Sequence, residues 1–522
     1  MKHLSVFFVL AAAFWVQPMD AQTPAAIADR AAARFLDQAA WGPTPASIAQ
    51  LQQSGIANWL KAQFSLNTSD LPDQPMLDAS TGKPNRDLTP VQAAFFQNAV
   101  TGQDQLRQRV AFALSQMWVV SAVSTKYAYA FPPYWRLFRD NAFGNYRDIM
   151  KALTLSPAMG NYLNMANNNK GNTTAGTSAN ENYARELMQL FTIGLTQLNP
   201  DGSAVLDSNK NPIPTYNQSV VTNTARALTG WTYPTAPKAT AKANNPAYYI
   251  GQMFAVEAEH DTTSKSIIGG VTIPAGQTAE EDLDSVLDAL LAQPTMAPFI
   301  SKQLIQHLVT SNPSPAYIQR AANVFLDNGS GVRGDMKSVL TAILTDAEAR
   351  AGDDPSSAPN PNFGHMREPV LFMANLLRGL NATLGSSSAI YLQASNLGED
   401  LFNPPTVFSY FSPLYTLENG EPAPEFQIYS TQTATNRADI INTILYGALD
   451  KSTTINLTPF LPSGSKVSAM VDYISYAFLH HAMSNDLLEA ASSAASAATG
   501  AKAQAQAALY IVLTSSEYQI VQ

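Results

Sequence analysis

One stretch decides how this chain folds: Ser178-Ala-Asn-Glu-Asn-Tyr-Ala-Arg-Glu-Leu-Met-Gln-Leu-Phe-Thr-Ile-Gly-Leu195. Ser178 and Glu181 have the spacing of a capping box, in which each side chain satisfies a backbone donor of the first helical turn. The apolar residues that follow recur at the spacing of a core-facing helix. Because Met188, Ile193 and Leu195 lie off this stripe, we expect the helix to be buried on more than one side. The stripe consists of Tyr183, Leu187, Leu190, Phe191 and Gly194.

The same helix carries charged candidates for a site. At about 100° per residue, Glu181 and Arg185 lie together away from the apolar stripe, and Glu186 lies along one edge of it. The two carboxylates are roughly 140° apart on a regular helix, so they do not form a paired-acid site by themselves.

Further helices and two short extended patches flank this stretch. Apolar periodicity predicts helices within 26–64, 104–121 and 220–231 and again from residue 280 onward. Residues 204–216 and 247–275 have the alternation and turn residues of small hairpins. The sequence therefore predicts a mainly α fold, a large multi-helix single domain with one or two small β-hairpins.

Composition narrows the class of protein. The 522 residues are 46% hydrophobic and only 14% charged, which suffices for a large core. The absence of cysteine excludes disulfides and thiolate metal sites. A net charge of −9 without basic blocks argues against a nucleic acid partner.

Residues 1–21 have the pattern of a signal peptide, with Lys2 before an apolar run and small residues before Gln22. This run is shorter than the ~20 residues that span a bilayer, and no later stretch is longer and as apolar. We therefore expect a periplasmic or secreted protein without a transmembrane segment, whose residues 22–522 form one helical domain.

Several motifs resemble a known family. The run 180–195 resembles the hallmark of the bacterial family of exported proteins known as domain of unknown function eighteen-hundred, DUF1800. Similar segments cover about residues 30–430, and we expect C-terminal helices over 436–522 to dock on this core. The other segments that carry the resemblance are 34–44, 104–116, 141–147, 157–163, 225–231, 304–317 and Arg367-Glu-Pro369.

The resemblance implies a secreted or periplasmic helical protein whose genes often neighbour those of sulfatase-like exported proteins. The resemblance does not identify an activity, a cofactor or a catalytic residue. The sequence also has no nucleophile elbow, P-loop, zinc signature or Rossmann fingerprint in a convincing context.

Among the six histidines, His260 lies beside Asp261 in a loop, with Glu259 before it. Such a neighbour pair can orient an imidazole as a general base, supply metal ligands, or serve only as a structural hydrogen bond. All three interpretations remain open from the sequence.

Charged residues set beside apolar helical stripes need partners, because an unpaired buried charge is costly. They must contact one another or a ligand. Arginine suits either role, because its planar fork fits carboxylate, phosphate or sulfate. These residues are Arg109, Glu181, Arg185, Glu186, Arg226, His260, Asp261, Arg333, Arg367 and Glu368.

Two hypotheses of function follow. In the first, the protein binds or processes an anionic or polyhydroxylated extracellular polymer such as a polysaccharide. Arg109, Arg185 and Arg226, with Glu181, would then hold the ligand. Glu186, or His260 with Asp261, would act as acid or base.

In the second hypothesis the protein is a structural or secretion-partner protein, for example of a sulfatase-like exported protein, and its buried charges only fix helix packing. Metal binding is a weaker third hypothesis. The aromatic loop 403–415 fits either a carbohydrate or peptide groove or a plug at the end of a helix bundle.

Overall fold

The computed structural model describes residues 27–354, 360, 362–385, 388–462, 466–480 and 483–521. The predicted signal peptide lies outside these residues.

The first part of the chain forms short helices that turn back on one another. Thr44 caps α2 and Pro45 opens it, as predicted. Gly55, at φ 77°, separates α2 from α3, so the second predicted helix is split in two. The helices are α1 Asp29–Ala39, α2 Pro45–Ser54, α3 Ile56–Ser65, α4 Thr89–Thr101, α5 Gln105–Met117, α6 Ala122–Thr125, α7 Phe131–Asn141, α8 Tyr146–Thr154 and α9 Pro157–Tyr162.

The middle of the chain holds the central helix and a helical bundle. Asp335 of the tripeptide Arg333-Gly-Asp335 caps α15, which accounts for that motif structurally. The helices are α10 Asn182–Gln189, α11 Gln218–Ala227, α12 Ala279–Leu291, α13 Met296–Leu308, α14 Pro315–Leu326, α15 Met336–Thr345, α16 Ala347–Arg350, α17 Pro369–Gly379 and α18 Ile390–Asn396.

The last part of the chain is helical as well, with α22 packed on α19, α20 and α21. Its helices are α19 Thr431–Tyr446, α20 Val467–Phe478, α21 Asn485–Ala497, α22 Ala501–Thr514 and α23 Ser516–Gln519.

Within the described residues, every strand is two residues long, and the strands form four antiparallel pairs. The pairs are β1–β2, β3–β4, β5–β8 and β6–β7. The mainly α prediction is therefore confirmed. The strands are β1 Trp231–Thr232, β2 Phe254–Ala255, β3 Lys265–Ser266, β4 Thr272–Ile273, β5 His365–Met366, β6 Thr383–Leu384, β7 Thr453–Thr454 and β8 Ile520–Val521.

One contiguous hydrophobic core runs from Ala32 to Tyr518. The central stretch lies inside it: Phe191, which follows α10, stacks on Trp118 with ring centroids 4.4 Å apart. The Tyr146 hydroxyl donates to the Phe191 carbonyl at 2.9 Å and accepts from Trp118 Nε1 at 3.1 Å. The burial expected for this stretch is therefore observed.

Three details of the central stretch differ from the prediction. The helix begins at Asn182, and the Asn180 side chain, rather than Ser178, accepts from the Asn182 backbone N–H at 2.9 Å. Glu181 does not complete a capping box, because its carboxylate accepts hydrogen bonds from groups outside the first turn. Leu195 follows the helix and is 56% exposed, so it is not part of the core.

Residues 204–216 turn back on themselves as predicted, with Ile213 N donating to Val205 O at 2.9 Å and Leu206 bridging Pro212, but they form isolated bridges rather than continuous strands. Proline has no N–H to donate, so Pro212 and Pro214 interrupt the ladder at alternate positions.

Within the described ranges, no helix is both long and apolar enough to cross a bilayer.

Candidate functional site

The charged pair on the central helix is tied to the next helix. Arg185 Nη2 lies 2.9 Å from Glu181 Oε2, an i,i+4 ion pair whose side chains are 40% and 30% exposed. Gln218 and Thr222 of α11 both donate to the Glu181 carboxylate. The pair therefore joins α10 to α11 at the surface.

Glu186 has different surroundings from Glu181. It is half-buried, and its Oε2 atom is buried without a hydrogen-bond partner among the described residues. Burial raises the pKa of Glu186, and the charge of Arg185 opposes this only in part. Partial burial and a raised pKa are properties expected of a carboxyl group that acts as an acid catalyst.

Arg226 and Asp261 form an ion pair, with Arg226 Nε 2.8 Å from Asp261 Oδ2. Burial raises the pKa of Asp261, but hydrogen bonds from Arg226 and Thr263 outweigh it and lower the pKa to about 2. Because Asp261 is bound to Arg226 and Thr263, it does not orient the imidazole of His260, its neighbour in sequence.

His260 is fully buried, and its imidazole contacts a carboxylate other than that of Asp261. Its Nε2 lies 3.1 Å from Asp282 Oδ2, and Lys265 Nζ lies 2.6 Å from the same oxygen. Its Nδ1 lies 3.0 Å from the Thr229 carbonyl oxygen. The loop predicted around His260 is thus fastened to α12 by a buried ion cluster.

Arg109 belongs to a separate interior cluster. It is fully buried, it donates to the His307 carbonyl, and its Nε and Nη1 have no partner among the described residues. Burial lowers the pKa of Arg109 to about 10, opposed by the charges of Glu368, Glu399 and Glu425. The predicted site residues therefore do not converge on one place.

Sequence reasoning did not single out Glu399, which is fully buried beside Glu368 and accepts from the Val370 backbone N–H at 2.7 Å. Burial and the charge of Glu368 raise the pKa of Glu399 well above its ordinary value. Gln116 Nε2 donates to Glu368 Oε2 at 2.9 Å. The Arg-Glu-Pro motif was the only sequence signal for this pair.

An open depression elsewhere on the molecule has the composition of a binding site. We name it the polar cleft, and its volume is about 440 Å³, within the ~300–1,000 Å³ range of ligand sites. The backbone bonds Ala122 N to Phe402 O, 2.8 Å, and Ala128 N to Asn85 O, 3.0 Å, hold its walls together. The residues lining it that bear on its chemistry are Arg86, Asp87, Thr89, Gln92, Lys126, Tyr127, Tyr391, Ser395, Asp400 and Asn403.

Two cationic side chains, those of Arg86 and Lys126, line the polar cleft. Arg86 precedes α4, and Lys126 ends α6 in the left-handed region at φ 56°. Both are exposed, and neither forms an ion pair with a described residue. The cleft can therefore offer two positive charges to a ligand.

Aromatic rings lie beside these charges. Tyr127 and Tyr391 are half-buried in the cleft wall. The Tyr127 ring packs against the Tyr249 ring, with the ring centroids 5.7 Å apart. The Tyr391 hydroxyl donates to Thr89 Oγ1 at 3.4 Å. Rings held in this way present apolar surface together with a polar tip.

Asp400 is the half-buried acid of the polar cleft. Its two carboxylate oxygens accept from Gln92 Nε2 at 2.9 Å and from Asn403 Nδ2 at 3.0 Å. Burial raises the pKa of Asp400, and these two hydrogen bonds reduce the effect. Asp400 can accept hydrogen bonds from ligand hydroxyls or exchange a proton with them.

Within the part of the chain that the structure describes, no group of three or more histidine, aspartate and glutamate side chains is placed to hold a metal ion.

Comparison with known proteins gives one match. Residues 34–520 match the family model described as Protein of unknown function (DUF1800). The search of curated proteins and the search of solved structures gave no match.

Proposed function

We propose that this chain, which belongs to the DUF1800 family of proteins of unknown function, binds an extracellular polysaccharide with acidic sugar residues in its polar cleft. The observation that carries this proposal is the pairing of two unpartnered cations, Arg86 and Lys126, with two tyrosine rings in one open cleft.

Charge complementarity supports the acidic part of the ligand. Arg86 can form a bidentate contact with a carboxylate or sulfate, whereas Lys126 offers a compact charge. Both side chains are exposed. Because neither forms an ion pair with a described residue, a ligand can bind them without breaking one.

The other lining groups support a hydroxyl-rich ligand. Tyr127 and Tyr391 can pack against the apolar faces of sugar rings, and Asp400 and Asn403 can hydrogen-bond to hydroxyls. The cleft is open rather than enclosed, so a longer chain can continue past it.

Titration calorimetry with oligogalacturonides, and with neutral galacto-oligosaccharides of equal length, tests this proposal. The double variant Arg86→Met and Lys126→Met should lower affinity for the acidic oligomer by about tenfold per charge. The matched control, Lys210→Met with Lys337→Met, removes the same net charge from exposed sites outside the cleft and should bind normally. Equal binding of acidic and neutral oligomers would contradict the proposal.

Asp400→Asn separates binding from processing. If the protein only binds the polymer, this variant loses some affinity and no turnover is seen with either form. Depolymerisation by the natural chain that disappears in Asp400→Asn would extend the proposal to catalysis.

A second candidate function is that of a structural or secretion-partner protein. It is favoured by charges that close on each other, such as Asp282 between His260 and Lys265. Under this alternative, neither the natural chain nor the double variant of the polar cleft would bind any of the oligomers.

A further inference from the structure

A second depression, about 400 Å³ in volume, lies between α5, α13 and the loop 403–415. It shares no lining residue with the polar cleft. We name it the apolar groove, because most of its surface is apolar; its apolar lining residues include Leu190, Leu195, Phe299, Val407, Phe408 and Leu414.

Two leucines of the groove are unusually exposed. Leu195 is 56% exposed and Leu414 is 73% exposed. Because both leucines line the same concave groove as Phe299 and Phe408, they belong to one apolar surface of the kind found in ligand-binding grooves. The loop 403–415 therefore contributes Val407, Phe408 and Leu414 to the groove, while its Phe411 is buried.

Gly194 shapes the bottom of the groove. It has φ 72°, and a Cβ atom at this position would lie 2.8 Å from the Phe299 ring. Glycine thus allows the ring to lie directly against the backbone after α10, which keeps the groove open.

One charge stands in the apolar wall. Lys302 of α13 is half-buried and forms no ion pair with a described residue. Burial lowers the pKa of the Lys302 ammonium group. An acidic ligand group would supply the missing counter-charge in a place where water screens it poorly.

Lys302 is accompanied by neutral amides rather than by acids. Gln303 and Gln306 lie on the same helix and line the same groove. Gln306 Nε2 is already engaged, because it donates to the Ser311 carbonyl at 3.0 Å. The groove therefore offers one cation and few free donors, which suits one acidic head better than the repeated amides of a peptide.

We propose that the apolar groove binds a free single-chain carboxylic acid, with its carboxylate on Lys302 and its chain along the leucine and phenylalanine walls. This binding is independent of the polar cleft. A concave groove with one charge fits a single monomer better than the flat, multiply charged surface of a membrane.

Titration calorimetry of the full chain with decanoate, octanoate and decanol tests the proposal. Decanoate should bind about tenfold more tightly than decanol, because only decanoate pairs with Lys302. It should also bind about tenfold more tightly than octanoate, because two more methylenes leave water. These comparisons use the natural chain, so they do not depend on the folding of a variant.

Lys302→Met keeps most of the unbranched side chain and removes the charge, and it should reduce decanoate affinity to that of decanol. Lys337→Met, at an exposed position on α15, is the matched control and should bind normally. Leu414→Ser should weaken both ligands. The proposal is overturned if decanol equals decanoate, if Lys302→Met changes nothing, or if anionic phospholipid vesicles bind and decanoate does not displace them.

Discussion

Asp37 and Arg367 are 330 residues apart in the sequence, yet their side chains meet in the interior with Oδ2 and Nη2 3.0 Å apart. His480 Nε2 lies 3.3 Å from the same oxygen. This contact joins α1, the Arg-Glu-Pro motif and the C-terminal helices, so charge pairing holds distant parts of the chain together.

Asp37→Asn should lower the free energy of unfolding by about 3–5 kcal/mol, because it leaves a buried guanidinium without its anion. Urea denaturation measures the change. Asp73→Asn is the control. The Asp73 side chain is 79% exposed and pairs with Arg136, so this change should lower the free energy of unfolding by only about 0–1 kcal/mol. Equal effects of the two changes would argue against a structural role for the interior contact.

Stability should also fall in acid through Asp37. Burial raises the pKa of Asp37, but the charges and hydrogen bonds of Arg367 and His480 outweigh it, so the pKa lies below its ordinary value. The carboxylate therefore stabilises the fold fully above the unfolded pKa of about 4. This stabilisation is lost as pH falls through the lower folded pKa. Asp37→Asn should lose less stability than the natural chain over that acid range.

Glu399 should have the opposite dependence on pH. Burial and the charge of Glu368 raise the pKa of Glu399, so the folded state retains a proton that the unfolded chain releases above about pH 4. Stability should therefore decrease as pH rises from that value towards the raised folded pKa. Glu399→Gln mimics the protonated acid and should flatten this slope, whereas Glu418→Gln, at an exposed site, should not.

Asp282→Asn should destabilise the protein by about 3–5 kcal/mol, because it strands the buried Lys265 ammonium group. Adding Lys265→Met removes that charge and should recover part of the loss. Thermal and urea unfolding of the single and double variants measure the coupling. No recovery in the double variant would show that the cost does not come from the unpaired lysine.

Glu186→Gln tests the catalytic hypothesis for the central helix. Because Glu186 lies outside the polar cleft and one of its oxygens has no described partner, we expect unchanged oligogalacturonide affinity and unchanged or higher stability. Loss of polymer turnover in this variant, with normal folding, would instead identify Glu186 as an acid or base.

Gly194→Ala should cost about 1–2 kcal/mol in backbone strain and also weaken decanoate binding, because the new methyl group displaces the Phe299 ring. Gly276→Ala is the matched control. Gly276 also has a positive φ, 92°, but a Cβ there would meet nothing within 4 Å. This control should show the strain without the loss of affinity.

Local patterns predicted much of the fold. The apolar periodicity that indicated helices around Leu187 and Val110 reports burial directly, so these helices are found inside the core. The start of the central helix was missed because Glu181 has better partners on α11 than the backbone donors near it. Capping rules consider only local competitors.

The sites were less predictable. The sequence correctly indicated that embedded charges would need partners, and it suggested Asp261 as the partner of His260. The actual partner, Asp282, lies on a helix that no local pattern connects to that loop. Arg86 and Lys126 were missed for the opposite reason, since an exposed cation has no distinctive sequence pattern until the fold places it in a cleft.

The pairing of β5 with β8 has a consequence for biosynthesis. β8 follows almost all the other described residues in the chain, and Tyr518, fully buried, donates its hydroxyl to Asn375 at 2.9 Å. A nascent chain that ends at α22 therefore lacks the residues that pair with β5 and hydrogen-bond to Asn375. Translation through residue 521 is thus needed before β5 and Asn375 gain these partners.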